Sequence, residues 1–61
     1  MANIIKLTVF NSDLEEISCG TCRMSDEDLK NYLEKLKNRA DVNEYTHDIA
    51  CGVHYICIYH N

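Results

Sequence analysis

Cys19-Gly20-Thr21-Cys22 and Cys51-Gly52-Val53-His54 share the pattern Cys-Gly-x-(Cys or His), and together they contain the residue types that bind soft metals. Three thiolates and an imidazole can surround Zn2+ in a tetrahedron, the donor set of a structural site. The gap between the halves is not a signature zinc spacing. Convergence of Cys19, Cys22, Cys51 and His54 therefore depends on the fold bringing the end of one hairpin beside the turn of another. The competing reading takes Cys19 and Cys57 as small buried hydrophobes and Cys22 and Cys51 as turn residues, since free cysteine is among the most buried residue types.

Cys19-Gly20-Thr21-Cys22 also has the spacing of a redox dithiol. In thioredoxin-like proteins the first thiol sits at a helix N-terminus, where the dipole stabilises thiolate. Here the helix is expected to start four residues after Cys22, and the chain contains no proline to form the loop that faces such a dithiol. His47 and His54 fall in strand-like segments and His60 lies next to the terminus, which reads as structural histidine on or near the surface. No Ser/His/Asp order, glycine-rich phosphate loop or carboxylate pair in an apolar setting is present, so no catalytic residue is assigned and the chain does not read as an enzyme.

The acidic residues form two groups, Asp13, Glu15 and Glu16 in the first hairpin and Asp26, Glu27 and Asp28 at the start of the helix. If they approach one edge, they make a negative patch. Beside exposed Tyr45, Tyr55 or Tyr59, such a patch suits a partner with a basic surface, aromatics anchoring and carboxylates standing in for phosphates. The plainer reading is a solvated face with helix capping.

The elements that position these groups follow from periodicity. Asn3 to Phe10 alternates with period two and reads as a strand, with Asn11-Ser12-Asp13 as a turn cluster. Leu14 to Cys19 resumes the alternation with Ile17 and Cys19 on one face, and a bulge at Gly20 would return Cys22 and Met24 to the inward side. Ser25-Asp26-Glu27-Asp28 resembles a capping box, so the helix should begin at Asp26. Leu29, Tyr32, Leu33, Leu36 and Ala40 form its apolar stripe. Residues 40–44 read as a connector, Tyr45 to Ala50 as a strand, Cys51-Gly52 as a two-residue hairpin turn, and Val53 to Tyr59 as a central strand with apolar groups on both faces.

The order is ββαββ: a single small α+β domain over residues 1–61, a mostly antiparallel sheet with one helix packed on one face. At this length a chain buries only about 60% of its unfolded surface. The core is thin, and a metal, disulfide or partner subunit would help it. The segment from Met1 to Phe10 reads as neither signal peptide nor membrane span, which favours a cytoplasmic, reducing location and free thiols.

Net charge is −4 with scattered Lys and Arg, so direct nucleic-acid binding is disfavoured and association with a basic protein is steered by opposite charge. In general character the chain is similar to small acidic proteins of bacteriophages and mobile elements, some of which inhibit host nucleases or CRISPR effectors. No motif of this chain carries that similarity. The leading expectation is a small acidic protein-binding module, an inhibitor of a nucleic-acid-handling host protein. The alternatives are a zinc-stapled structural module and a dithiol redox protein. An exposed edge strand also leaves a homodimer open.

Overall fold

Two hairpins joined through one helix make up the chain: β1 (Asn3–Phe10), β2 (Glu16–Met24), α1 (Asp26–Asn38), β3 (Val42–Ala50) and β4 (Val53–His60). The structure, a computed structural model, describes residues 2–61; Met1, counted above in the domain and its N-terminal segment, lies outside them. The expected α+β ββαββ architecture is present, as one four-stranded sheet in the order β2-β1-β4-β3 with the helix on one face. Both hairpins are antiparallel, while β1 and β4 pair in parallel at the centre. A parallel pair needs a long crossover. Here everything between β1 and β4 supplies it, and α1 passes obliquely over the sheet, touching both edge strands.

The central strands carry the core because their side chains are covered from three sides. Ile5 on β1 and Ile56 and Ile58 on β4 are buried, and Leu29 and Leu36 on α1 close over them. Each such side chain contributes about 1.5–3 kcal/mol by leaving water. Leu7, Val9, Cys22, Met24, Tyr32, Leu33, Val42 and Tyr45 pack around this centre. Ala40 does not join the stripe, because the helix ends at Asn38 and Ala40 lies in the following turn, exposed.

Helix α1 starts where its cap dictates. Ser25 is extended, and its Oγ accepts from the Asp28 N–H at 3.1 Å. Asn3 Nδ2 donates to Asp26 Oδ1 at 2.7 Å and to the Met24 carbonyl at 3.3 Å, tying the start of β1 to the helix entry. Asp26, Glu27 and Asp28 occupy the first turn, with Lys35 and Lys37 in the last, both favourable to the helix dipole.

Two features differ from the sequence reading, and a third matches it. The bulge on β2 lies at Ile17, opposite the step from Val9 to Phe10, and not at Gly20, which pairs regularly with Leu7. Ser18, Gly20, Cys22 and Met24 therefore share the helix-facing side, while Cys19 lies on the open face and Ile17 is 57% exposed. Strand β3 begins at Val42, within the expected connector, its own bulge falling between Val42 and Glu44. The turn at Cys51 and Gly52 is as expected: Cys51 has φ 51° and Gly52 φ 76°, the two left-handed positions of a type I′ hairpin.

Candidate functional site

The sheet separates the four thiol and imidazole groups of the zinc reading. Cys22 sits on β2 level with Ile5, and His54 sits on β4 level with the same Ile5, both on the helix side. Strand β1 lies between them, so they stand about 10 Å apart, twice the strand spacing. Cys19 pairs with Thr8 on the opposite face, and Cys51 is exposed in the hairpin turn. Among the described residues no three His, Cys, Asp or Glu side chains gather as a metal-binding group. All four cysteines are free thiols, with Cys57 half-buried on the open face next to Thr8.

The acidic residues divide between the two ends of β2. Asp13, Glu15 and Glu16 belong to the β1–β2 hairpin, whereas Asp26, Glu27 and Asp28 begin the helix after Met24. The nine residues of β2 hold the two groups roughly 27 Å apart. They do not form one patch. Tyr45 faces the helix, where with Asp26, Leu29, Lys30 and Leu33 it lines a groove of about 360 Å3. Tyr55 and Tyr59 lie on the uncovered face, Tyr55 beneath Lys6 Nζ at 6.0 Å from its ring centre.

The geometry gathers a distinct group at the hairpin end. Phe10 and Tyr59 pair across the parallel strands and stack at 5.1 Å with planes 11° apart. Glu16 is opposite Phe10 and Glu44 opposite Tyr59, so a carboxylate flanks each ring on the open face. The loop beyond is built on Asn11, whose Oδ1 accepts from the N–H groups of Asp13 at 2.9 Å and Glu15 at 3.0 Å. Two backbone bonds lock it further, Asn11 N–H to the Glu15 carbonyl and Leu14 N–H to the Asn11 carbonyl, each 3.0 Å. Leu14 is held at φ 64° with its side chain 70% exposed. Left-handed backbone costs a leucine about 1–2 kcal/mol. That side chain returns nothing to the core. The acidic triplet was legible in the sequence; the strained leucine was not, since no glycine or asparagine marks position 14.

Two further polar groupings stand elsewhere. His47 Nε2 and His54 Nδ1 lie 2.8 Å apart on the helix side of the β3–β4 hairpin, both half-buried. Near the other end, Arg39 donates from Nε and Nη2 to both oxygens of Asp41 at 2.9 and 2.6 Å, and His60 Nδ1 stands 3.5 Å from the same carboxylate. The Arg39 hydrogen bonds hold the Asp41 carboxyl below the ordinary aspartate range and raise the guanidinium in turn. Burial raises the Tyr32 hydroxyl, an effect the nearby Arg39 charge partly opposes.

Among the described residues no helix is long and apolar enough to cross a membrane. No family model, no curated protein and no solved structure matches the chain.

Proposed function

We propose that this chain is a protein-binding module that seats its acidic hairpin and the adjoining Phe10–Tyr59 stack on a basic surface of a nucleic-acid-handling protein, and thereby inhibits it. The observation that carries this reading is Leu14, held at a left-handed φ by a loop wired through Asn11 and left exposed among Asp13, Glu15 and Glu16. Backbone strain with no return to the fold is concentrated at functional positions. An apolar anchor ringed by carboxylates matches what a phosphate-binding groove offers: Lys and Arg around a cleft with apolar floor. The helix-start carboxylates act in the fold, as cap and dipole partners, and take no part in the contact.

The test is affinity capture on the immobilised protein from a lysate of the native source, read by mass spectrometry. The combined variant Asp13→Lys, Glu15→Lys, Glu16→Lys is expected to lose the captured basic partner at least tenfold with an unchanged circular dichroism spectrum. Leu14→Asn should lose it while leaving the fold as stable or more so, since asparagine tolerates that backbone. Asp28→Lys, at the helix start, should retain it. Retention by the hairpin variant, or equal loss through Asp28→Lys, would overturn the proposal.

A further inference from the structure

We propose that His47 and His54 form a two-nitrogen site for a divalent transition-metal cation of the Ni2+ and Cu2+ class. The two strands place the rings by register. Ala50 opposite Val53 sets Ile49 opposite His54 and His47 opposite Ile56, so the imidazoles are diagonal neighbours on one face of the hairpin. Their ring centroids are 5.1 Å apart and their planes differ by 18°, with 2.8 Å between Nε2 of His47 and Nδ1 of His54. The difference between those two lengths is about two ring radii. The rings therefore lie end to end near a common plane, nitrogen facing nitrogen, rather than face over face.

The donor set points to the class of metal. The 2.8 Å between the nitrogens is the length of the hydrogen bond that joins the rings in the absence of metal. Two imidazoles completed by water make a nitrogen and oxygen set, which suits tetragonal Cu2+ and octahedral Ni2+, ions that also stand high in the general affinity order. Without metal, one ring's N–H donates to the other's bare nitrogen. On binding, that proton moves through solvent to the far nitrogen of its own ring. Both facing nitrogens then offer lone pairs, each ring turning about its Cβ–Cγ bond to meet the cation off the line between them.

The surroundings leave room for this. Both histidines are half-buried and Ile49 beside them is 62% exposed. No third His, Cys, Asp or Glu among the described residues joins them, so water completes the coordination and the cation remains exchangeable. The bound ion bridges β3 and β4 just inside their turn, clipping the hairpin that brings the central strand β4 to the core. This reading is independent of the acidic hairpin, which lies at the other end of the sheet.

Ni2+ is the probe, because Cu2+ would oxidise the exposed thiols of Cys19 and Cys51. Titration into isotope-labelled reduced protein, followed by NMR and calorimetry, should give one ion per chain, with paramagnetic broadening centred on His47, His54, Ile49 and Ile56. The double variant His47→Gln, His54→Gln should bind Ni2+ at least tenfold more weakly, and His60→Gln should bind it as the parent does. If the double variant does not fold, His47→Gln alone, which leaves one imidazole, carries the same expectation. Broadening centred on Cys19, Cys51 or His60, or a loss of less than tenfold in the histidine variant, overturns the assignment.

Discussion

At the scale of single residues, two positions among the described residues bear left-handed backbone without being glycine, Leu14 and Cys51, and they invite opposite explanations. Leu14 is exposed in a loop whose hydrogen bonds fix it, whereas Cys51 occupies the first position of a type I′ turn, where Asn-Gly is the favoured pair. Cys51→Asn should therefore stabilise the fold by about 0.5–1 kcal/mol, by removing a backbone conformation that cysteine tolerates poorly. A shifted denaturant midpoint measures it. A zinc staple through Cys51 requires the reverse, unfolding of this variant, and that result would restore the metal reading of the cysteines. The turn itself was legible, because Cys51-Gly52 sits between two alternating runs and turn chemistry is local. What the thiols do was not, because convergence depends on strand order, which spacing does not encode. The histidine pair lay between these cases: once the turn is placed, the register of an antiparallel hairpin puts His47 and His54 on one face.

At the scale of elements, the helix was readable and its neighbour β2 only in part: the strand and its inward Cys22 and Met24 were legible, the place of its bulge was not. Leu29, Tyr32, Leu33 and Leu36 recur on one side of a regular cylinder, and Ser25 marks its start through a bond to a residue three positions on. Strand β2 is an edge strand with few large apolar residues, and Gly20 lacks a side chain with which to declare a face. Ile17 and Cys19 thus imitated an inward pair, while the actual bulge at Ile17 turned Cys22 and Met24 inward. The weight resting on the helix stripe can be measured. Leu36 is 1% exposed at the centre of the core, and Leu36→Ala should cost about 2–5 kcal/mol. Total stability for a domain of this length is of order 3–9 kcal/mol, so much of the population should unfold at 37 °C. Thermal melting by circular dichroism reads this directly, and a loss under 1 kcal/mol would mean that α1 is not the lid of the core.

At the scale of the whole molecule, the parallel pairing of β1 with β4 is what makes the fold one unit, since each hairpin alone is too small to persist in water. Periodicity shows which face of each strand turns inward and not which strands are neighbours: a simple antiparallel meander would put β2 and β3 at the centre, whereas here β1 and β4 hold it. The closure is reinforced where the chain's late segments meet. Asp41 receives Arg39 through two hydrogen bonds, its carbonyl accepts from the Asn61 N–H at 3.1 Å, and Asn61 Nδ2 reaches the Ala40 carbonyl at 2.9 Å. The turn after the helix is thereby fastened to the end of β4. Because the Asp41 pKa is depressed in the folded chain, its contribution is fully present above the ordinary aspartate value of about 3.9 and is lost as pH falls through the lower folded value. The ion pair lies in water, so the effect is small and salt weakens it. Melting temperatures of the parent and Asp41→Asn, measured across the acid limb at low ionic strength, should differ at neutral pH and converge below the aspartate range, with the parent falling more steeply. Curves that stay parallel to the lowest pH would show that this carboxylate gains nothing on folding, and that the hydrogen bonds from the Asn61 backbone and side chain alone hold the end of β4 to the turn.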